Sequence, residues 1–291
     1  MPDFDDLLSN QPQTAPAPQQ DNFDKDAWAA QKKQQREDLY TLADETAMGA
    51  IANPARFTQY LDVQARFDRY SPTNALLILA QRPDATQFGD LDHWKRERVF
   101  IKRDEMPNAI TILEPGKQYH REDGGVGTSM NAKRVYDMSQ AERPRLQPQP
   151  RYDDRALVQA VIKASPIPVE GVDQLSGERD AAFDGMENKI FVQRGMEAPA
   201  IVRAVAREAC YARMDTVIED DRFDARAGAY LICKKFGVDT QGIDLSDVKA
   251  RFGCREAKEV REVLSSVRNI AGEIAGRMAK ELEPPKREAE R

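Results

Sequence analysis

The sequence predicts an α+β protein of two domains, with helices and a small sheet in the first and mostly helices in the second. Apolar residues recur at helical spacing over most of the chain, and β-rich runs interrupt this pattern between residues 99 and 113. A Pro-rich polar stretch then suggests a linker at residues 143–152. With 291 residues, 41% of them apolar, the chain is long enough for about two domains with buried cores.

Composition and charge leave the function class open. The net charge is -6 and 32% of the residues are charged, which neither requires nor excludes a nucleic-acid partner. Three scattered cysteines, no long apolar run and no N-terminal signal favour a cytoplasmic protein that does not contact a membrane. The only histidines are His93 and His120, and the sequence predicts no cofactor.

Residues 1–35 are predicted to form a disordered acidic leader, because they are rich in Gln, Pro and Ala without apolar periodicity. Within it, Phe4, Leu7 and Leu8 stand among carboxylates, as in short peptides that dock into basic apolar grooves. The leader is therefore either a solubilising segment or a contact for a protein partner. A charged tail is predicted at the other end, over residues 284–291.

The first domain, residues 36–142, is predicted to contain helices followed by a sheet. Amphipathic helices are expected over residues 39–50 and 57–67, and a shorter helix over residues 74–81. The β-rich runs 99–101 and 109–113, with a return strand at 134–138, then indicate a hairpin or small sheet.

The second domain, residues 153–283, is predicted to be mostly helical. A helix over residues 155–164 precedes two short strands around a turn, at 182–184 and 188–192. Three further helices are expected over residues 199–213, 223–236 and 260–282. Cys210 and Cys233 fall on the apolar faces of two of them, where a free thiol usually behaves as a small hydrophobe.

Several blocks of the first domain resemble a known family. Arg66 to Thr86, the pair Trp94-Lys95 and the run Val135 to Gln140 are similar to the N-terminal domain of ArdC-type and LtrC-like proteins of mobile genetic elements. The resemblance covers about residues 39–140. It implies that this domain binds single-stranded DNA, in conjugation, replication or protection from restriction.

Single strands are held by cations that follow the phosphates and by aromatic rings on which bases stack. The segment Trp94 to Arg103 places five cations beside two aromatic rings, which indicates such a platform. We expect Phe67 and Phe100 to be core residues, whereas Trp94 either stacks on a base or lies in the core. The charges around it either contact DNA or form a solvated face.

Two amides complete the predicted interface. Asn74 and Gln81 either read base edges or cap the short helix between them. The full set of predicted nucleic-acid-binding residues is Arg66, Arg69, Tyr70, Asn74, Gln81, Arg82, Trp94, Lys95, Arg96, Lys102 and Arg103.

The run Arg207-Glu208-Ala209-Cys210-Tyr211 has the frame of an H-E-x-x-H helix, in which two imidazoles bind zinc and Glu is the general base. The resemblance to LtrC-like proteins implies a zincin-like domain of gluzincin type here, with Arg226 at the third ligand position and these side chains in one pocket. Guanidinium groups cannot lose their protons and would repel zinc. We therefore predict no metal and no peptidase activity. Glu208 either pairs with Arg207 or Arg226, or both arginines face solvent.

The sequence thus indicates a sequence-tolerant single-stranded DNA-binding protein with an inactive metallopeptidase-like domain. Two alternatives stay open. An active peptidase with an unforeseen ligand set would carry one tightly bound zinc per chain. A protein-interaction scaffold would show no salt-sensitive binding to oligonucleotides.

Overall fold

The computed structural model describes residues 24–120, 124–145, 151–177, 179–214 and 219–283, with only the backbone at 219–221. The predictions for Phe4, Leu7 and Leu8 and for the charged tail lie outside these residues. Within them the chain is an α+β protein with two three-stranded sheets, which confirms the predicted fold class.

Three helices begin the described chain: α1 (Lys25–Ala50), α2 (Pro54–Arg66) and α3 (Pro72–Gln81). A side-chain oxygen caps the first turn of each, from Asp24, Asn53 and Ser71 respectively. The predicted leader boundary was wrong, because residues 25–35 belong to α1. The Asp24 cap and a run of Ala, Gln, Lys and Glu, all good helix formers, explain the earlier start.

The first sheet has the order β1-β3-β2 and is antiparallel throughout. Its strands are β1 (Phe88–Gly89), β2 (Ile110–His120) and β3 (Val126–Asp137). A six-residue helix, α4 (Leu91–Arg96), follows β1, and 3-10 turns occupy Arg103–Asn108 and Met138–Gln140.

The predicted strand at residues 99–101 is wrong, since this segment makes only an isolated bridge between Ile101 and Ala141. Val99 packs against Trp94 in a small separate core. Phe100, the next residue along the chain, is 66% exposed, whereas Phe67 is buried as predicted. Successive side chains of an extended segment point to opposite sides, so burying Val99 turns Phe100 outward.

The described residues of the second half form four longer helices and a short one: α5 (Asp154–Ala164), α6 (Ala198–Tyr211), α7 (Glu219–Lys235), α8 (Val248–Phe252) and α9 (Ala257–Leu282). Its sheet has the order β4-β6-β5, from β4 (Val169–Val172), β5 (Ala181–Asp184) and β6 (Lys189–Gln193). Strand β4 is parallel to β6, and β5 is antiparallel to it. The sequence predicted all of these elements except the short β4 and α8.

One cluster of buried apolar side chains includes residues from both halves of the chain. Phe57 of α2 contacts Phe223 of α7 and Phe252 of α8, with ring centroids 5.4 and 5.8 Å apart. Asp62 of α2 accepts hydrogen bonds from the Tyr230 hydroxyl and Lys234, both at 2.8 Å. The halves therefore share a core, and the domain boundary at residues 143–152 stays a prediction.

We find no membrane-spanning candidate among the helices of the described residues, since none combines sufficient length with sufficient apolar character.

Candidate functional site

A groove of about 660 Å³ lies between the start of α3, the first sheet and α4. Four of the predicted binding residues line this groove: Arg69, Tyr70, Asn74 and Arg96. The other lining residues, which were not predicted as binding residues, include Phe88, His93, Lys133 and Arg268. We call this site the basic groove.

The basic groove carries more cations than its two carboxylates neutralise. Within the described residues, Arg69 and Arg96 are exposed and have no hydrogen-bond or ion-pair partner. Lys133 Nζ lies 3.0 Å from Asp90 and 3.1 Å from Glu114, so this one cation is already paired twice. Both arginines are therefore available to an anionic ligand.

Lys133 and Asp90 stay ionised in the basic groove. The hydrogen bonds that Lys133 donates, to Asp90 first and to Glu114 second, raise its pKa. The backbone N–H of His93, and then Lys133, lower the pKa of Asp90. This triad contains one cation and two carboxylates, so the positive charge of the groove comes from its arginines.

Aromatic rings form one wall of the basic groove. Phe88 stacks on the buried Phe67 with centroids 4.5 Å apart, and Tyr70 contacts Phe88 edge-on at 6.4 Å. Burial of the Tyr70 ring is the main cause that raises its pKa, so the hydroxyl stays protonated. Tyr70 is half-buried, which leaves part of its ring open to the groove.

Trp94 is not a stacking residue in this structure, because only 1% of it is exposed. Its indole Nε1 donates to the carbonyl of Tyr136 at 3.0 Å, which satisfies its one polar atom inside the protein. The sequence left two roles open for this ring, stacking on a base or burial in the core. The structure places the ring in the core, so the predicted DNA contact is wrong.

The amides of Asn74 and Gln81 bind backbone groups, and Gln81 Nε2 also donates to the Leu77 carbonyl in the last part of α3 at 2.9 Å. Asn74 is 5% exposed, and it exchanges two hydrogen bonds of 2.8 Å with the backbone of Leu113. Gln81 does the same with Thr111, at 2.9 Å each. Both amides attach α3 to β2, and Ser71 provides the cap instead.

The remaining predicted cations lie outside the basic groove. Arg66 donates to the carbonyls of Pro83 and Asp62, and Arg82 pairs with Glu105 at 3.2 Å, so both have structural contacts. Three further cations are exposed but do not line the groove: Lys95, Lys102 and Arg103.

The second site is a cavity of about 250 Å³ at the H-E-x-x-H frame. Arg207, Glu208 and Tyr211 enter it from α6 and Arg226 enters it from α7, so the side chains implied to share a pocket do so. Arg179, Asp180 and Arg222 also line it. We call this site the arginine cavity.

Glu208 is held in the arginine cavity by Arg207, one of the two predicted pairs. Its carboxylate is 3% exposed; Oε1 accepts from Arg207 Nε at 2.8 Å and Oε2 from the backbone N–H of Phe183 at 3.0 Å. Arg226 instead donates to Asp247 at 2.8 Å. Neither arginine simply faces solvent.

The guanidinium group of Arg207 also binds Asp180. Arg207 Nη2 lies 2.6 Å from Asp180 Oδ1. Burial alone would raise the pKa of Asp180, but the hydrogen bond and charge of Arg207 outweigh it and lower that pKa. Both carboxylates of the cavity therefore already have a cationic partner.

The donors at the frame do not fit a metal ion. Within the described ranges, no three His, Cys, Asp or Glu side chains are grouped so that they could hold one. The nearby thiols are buried; burial raises the pKa of Cys210, and it raises that of Cys233 to about 12. Protonated thiols and guanidinium groups are not zinc ligands.

Comparison with known proteins finds a likeness in fold. No family model matches the chain, and no curated protein matches it. The Mn(II)-bound crystal structure of the antirestriction protein ArdC from plasmid R388 is similar, with a TM-score of 0.51 and 13% identity over 75% of this chain and 86% of that one. The metal-free structure gives 0.49 and 13%, over 72% and 86%. At this identity the first likeness shows an ArdC-like fold.

Proposed function

We propose that the protein binds single-stranded DNA in the basic groove, with little sequence preference, for a mobile genetic element. The observation that carries the proposal is the position of Arg69 and Arg96, two arginines without partners in the described chain, beside the half-open ring of Tyr70. Cations next to an aromatic face are what phosphates and unpaired bases bind. The ArdC-like fold supports the antirestriction, conjugation or replication setting, because the similar structure is that of an antirestriction protein.

The dimensions of the basic groove favour an unpaired strand over a duplex. Its volume of about 660 Å³ is in the range of pockets that enclose a small ligand, such as a nucleotide. Base stacking requires an unpaired base with a free face, and stacking is tolerant of sequence because every base has one. The amides of Asn74 and Gln81 already exchange hydrogen bonds with the backbone of β2, which fits a site with little sequence preference.

We expect the double substitution Arg69→Gln and Arg96→Gln to weaken binding of a labelled single-stranded oligonucleotide about tenfold, which corresponds to about 1.4 kcal/mol. The slope of log K against log salt should fall by about 1.4, since each single-strand phosphate contact contributes about 0.7. Fluorescence anisotropy over a salt series measures both quantities.

The matched control for this test is Lys95→Gln with Lys102→Gln, which removes the same charge from exposed positions outside the basic groove. Equal losses of affinity in the two double variants would show that the DNA contacts positive charge over the whole surface rather than the basic groove. Wild-type protein without salt-sensitive binding would contradict the proposal and favour a protein-interaction scaffold.

We also propose that the zincin-like part has no peptidase activity. The support is the occupation of Glu208 and Asp180 by Arg207, because a general base must be free to activate water. Measurement of one tightly bound zinc per purified chain would instead favour an active metallopeptidase.

A variant that is designed to bind zinc tests whether the H-E-x-x-H frame keeps the geometry of a metal site. Arg207→His, Tyr211→His and Arg226→Glu together should create a His2Glu zinc set, because these three side chains line one cavity. We expect added zinc to raise the Tm of the triple variant but not that of the wild type, since a ligand that binds only the folded state stabilises it. Each single variant is the control. Zinc-dependent stabilisation of the wild type would contradict this prediction.

A further inference from the structure

The arginine cavity has an unusual charge for a site with the frame of a metallopeptidase helix. Among the described side chains, four arginines line it, Arg179, Arg207, Arg222 and Arg226, together with two carboxylates, Asp180 and Glu208. Both carboxylates accept hydrogen bonds from the single guanidinium of Arg207. Arg226 and Arg222 have further partners of their own, but the guanidinium groups that line the cavity outnumber its described carboxylates, which favours an anionic ligand over a metal cation.

Arg226 supplies the donor that lacks an acceptor. Its Nη2 donates to Asp247, whose side chain is 60% exposed, at 2.8 Å. Its Nε is buried, and no described residue accepts a hydrogen bond from it. Because Nε itself is buried, a ligand in the cavity would contact Arg226 through the exposed part of its side chain, 24% in all.

The cavity also holds its guanidinium groups in fixed positions. Arg222 lies over the ring of Tyr211, with its guanidinium carbon 4.6 Å from the ring centroid. Arg207 is bridged between two carboxylates. Groups that are held in this way lose little freedom when a ligand binds.

We propose that the arginine cavity binds a phosphate group. Guanidinium forks match the tetrahedral oxygens of phosphate and bind them through two parallel hydrogen bonds. The volume of about 250 Å³ is below the range of about 300–1,000 Å³ typical of pockets for larger ligands, so the site fits one small anion. This site is separate from the basic groove and does not depend on DNA binding there.

Inorganic phosphate is the first probe, titrated at constant ionic strength while the Tm is followed. We expect phosphate to raise the Tm of the wild type, and Arg226→Gln to weaken phosphate binding at least tenfold. The matched control is Arg213→Gln, which removes an arginine of the same region that pairs with Glu273 outside the cavity. It should leave phosphate binding unchanged.

A second set of oligonucleotides distinguishes free phosphate from the end of a nucleic acid. If a 5′-phosphorylated strand binds the wild type more tightly than the same strand without phosphate, and Arg226→Gln removes the difference, the ligand is a terminal phosphate. If the two strands bind equally while inorganic phosphate still stabilises the wild type, the ligand is a free phosphate. Because these comparisons change only the terminal group, they are independent of the Arg69 and Arg96 test.

The proposal is overturned if phosphate fails to stabilise the wild type, or stabilises Arg226→Gln and the wild type equally. Stabilisation by Mn(II) but not by phosphate would also overturn it. If Arg226→Gln does not fold, Arg179→Gln provides the same test, since Arg179 is exposed at the rim of the cavity. Arg179→Gln should then weaken phosphate binding, and unchanged binding would contradict the proposal.

Discussion

Replacing Trp94 with alanine is expected to lower the free energy of unfolding by about 3–5 kcal/mol, the usual cost of removing a large aromatic side chain from a core. The ring is 1% exposed and belongs to a small buried cluster with Val99, Tyr136 and Met138. The substitution also leaves the carbonyl of Tyr136 without its indole donor. Chemical denaturation followed by circular dichroism measures the change.

Phe100→Ala is the matched control, because it removes an aromatic ring from the same segment at a position that is 66% exposed. We expect its free energy of unfolding to stay within about 0.5 kcal/mol of the wild type. A Trp94→Ala protein that is as stable as the wild type, but no longer binds single-stranded DNA, would show that the ring stacks on a base after all.

The opposite positions of Trp94 and Phe100 show where sequence patterns stop being informative. The long helices were predicted because each repeats its apolar residues over several turns, although the start of α1 was missed. The segment from Trp94 to Arg103 has no such repeat, and its path depends on a turn at Arg98, which adopts a φ of 56°. Alternation over three residues cannot tell which of Val99 and Phe100 faces the core.

The candidate DNA site was predicted in part. Arg69, Tyr70 and Arg96 lie in the basic groove, as expected of cations and a ring near one another. Lys133 and Arg268 were missed, because they reach the groove from β3 and from α9, far away in the sequence. The charge of a groove depends on such distant neighbours, and a local pattern does not contain them.

The chemistry of the residues alone could not decide the contacts of the two amides, Asn74 and Gln81, or of the two arginines at the frame, Arg207 and Arg226. An Asn or Gln side chain satisfies a base edge or a peptide group equally well, and at Asn74 the backbone of β2 took both bonds. Helical spacing placed Arg207 and Tyr211 on one face, which the arginine cavity confirms. The partner of Arg226, Asp247, comes from the turn before α8, an element too short to predict.

Arg207→Met is the second substitution with a large expected effect. It should lower the free energy of unfolding by about 3 kcal/mol, because it leaves the buried Glu208 carboxylate with the Phe183 N–H as its remaining partner. The lower end of the usual range of about 3–5 kcal/mol applies, since 29% of the Arg207 side chain is exposed and solvent screens part of the charge. Urea denaturation at neutral pH measures the loss.

Two further variants show whether the loss comes from the unpaired carboxylate. Arg194→Met breaks a surface pair with Asp173, whose side chains are 65% and 88% exposed, and should cost about 0–1 kcal/mol. Adding Glu208→Gln to Arg207→Met removes the stranded charge, so the double variant should be more stable than the sum of the two single losses predicts. Strictly additive losses would show that Arg207 stabilises the fold through its packing and its contact with Asp180, and not by neutralising Glu208.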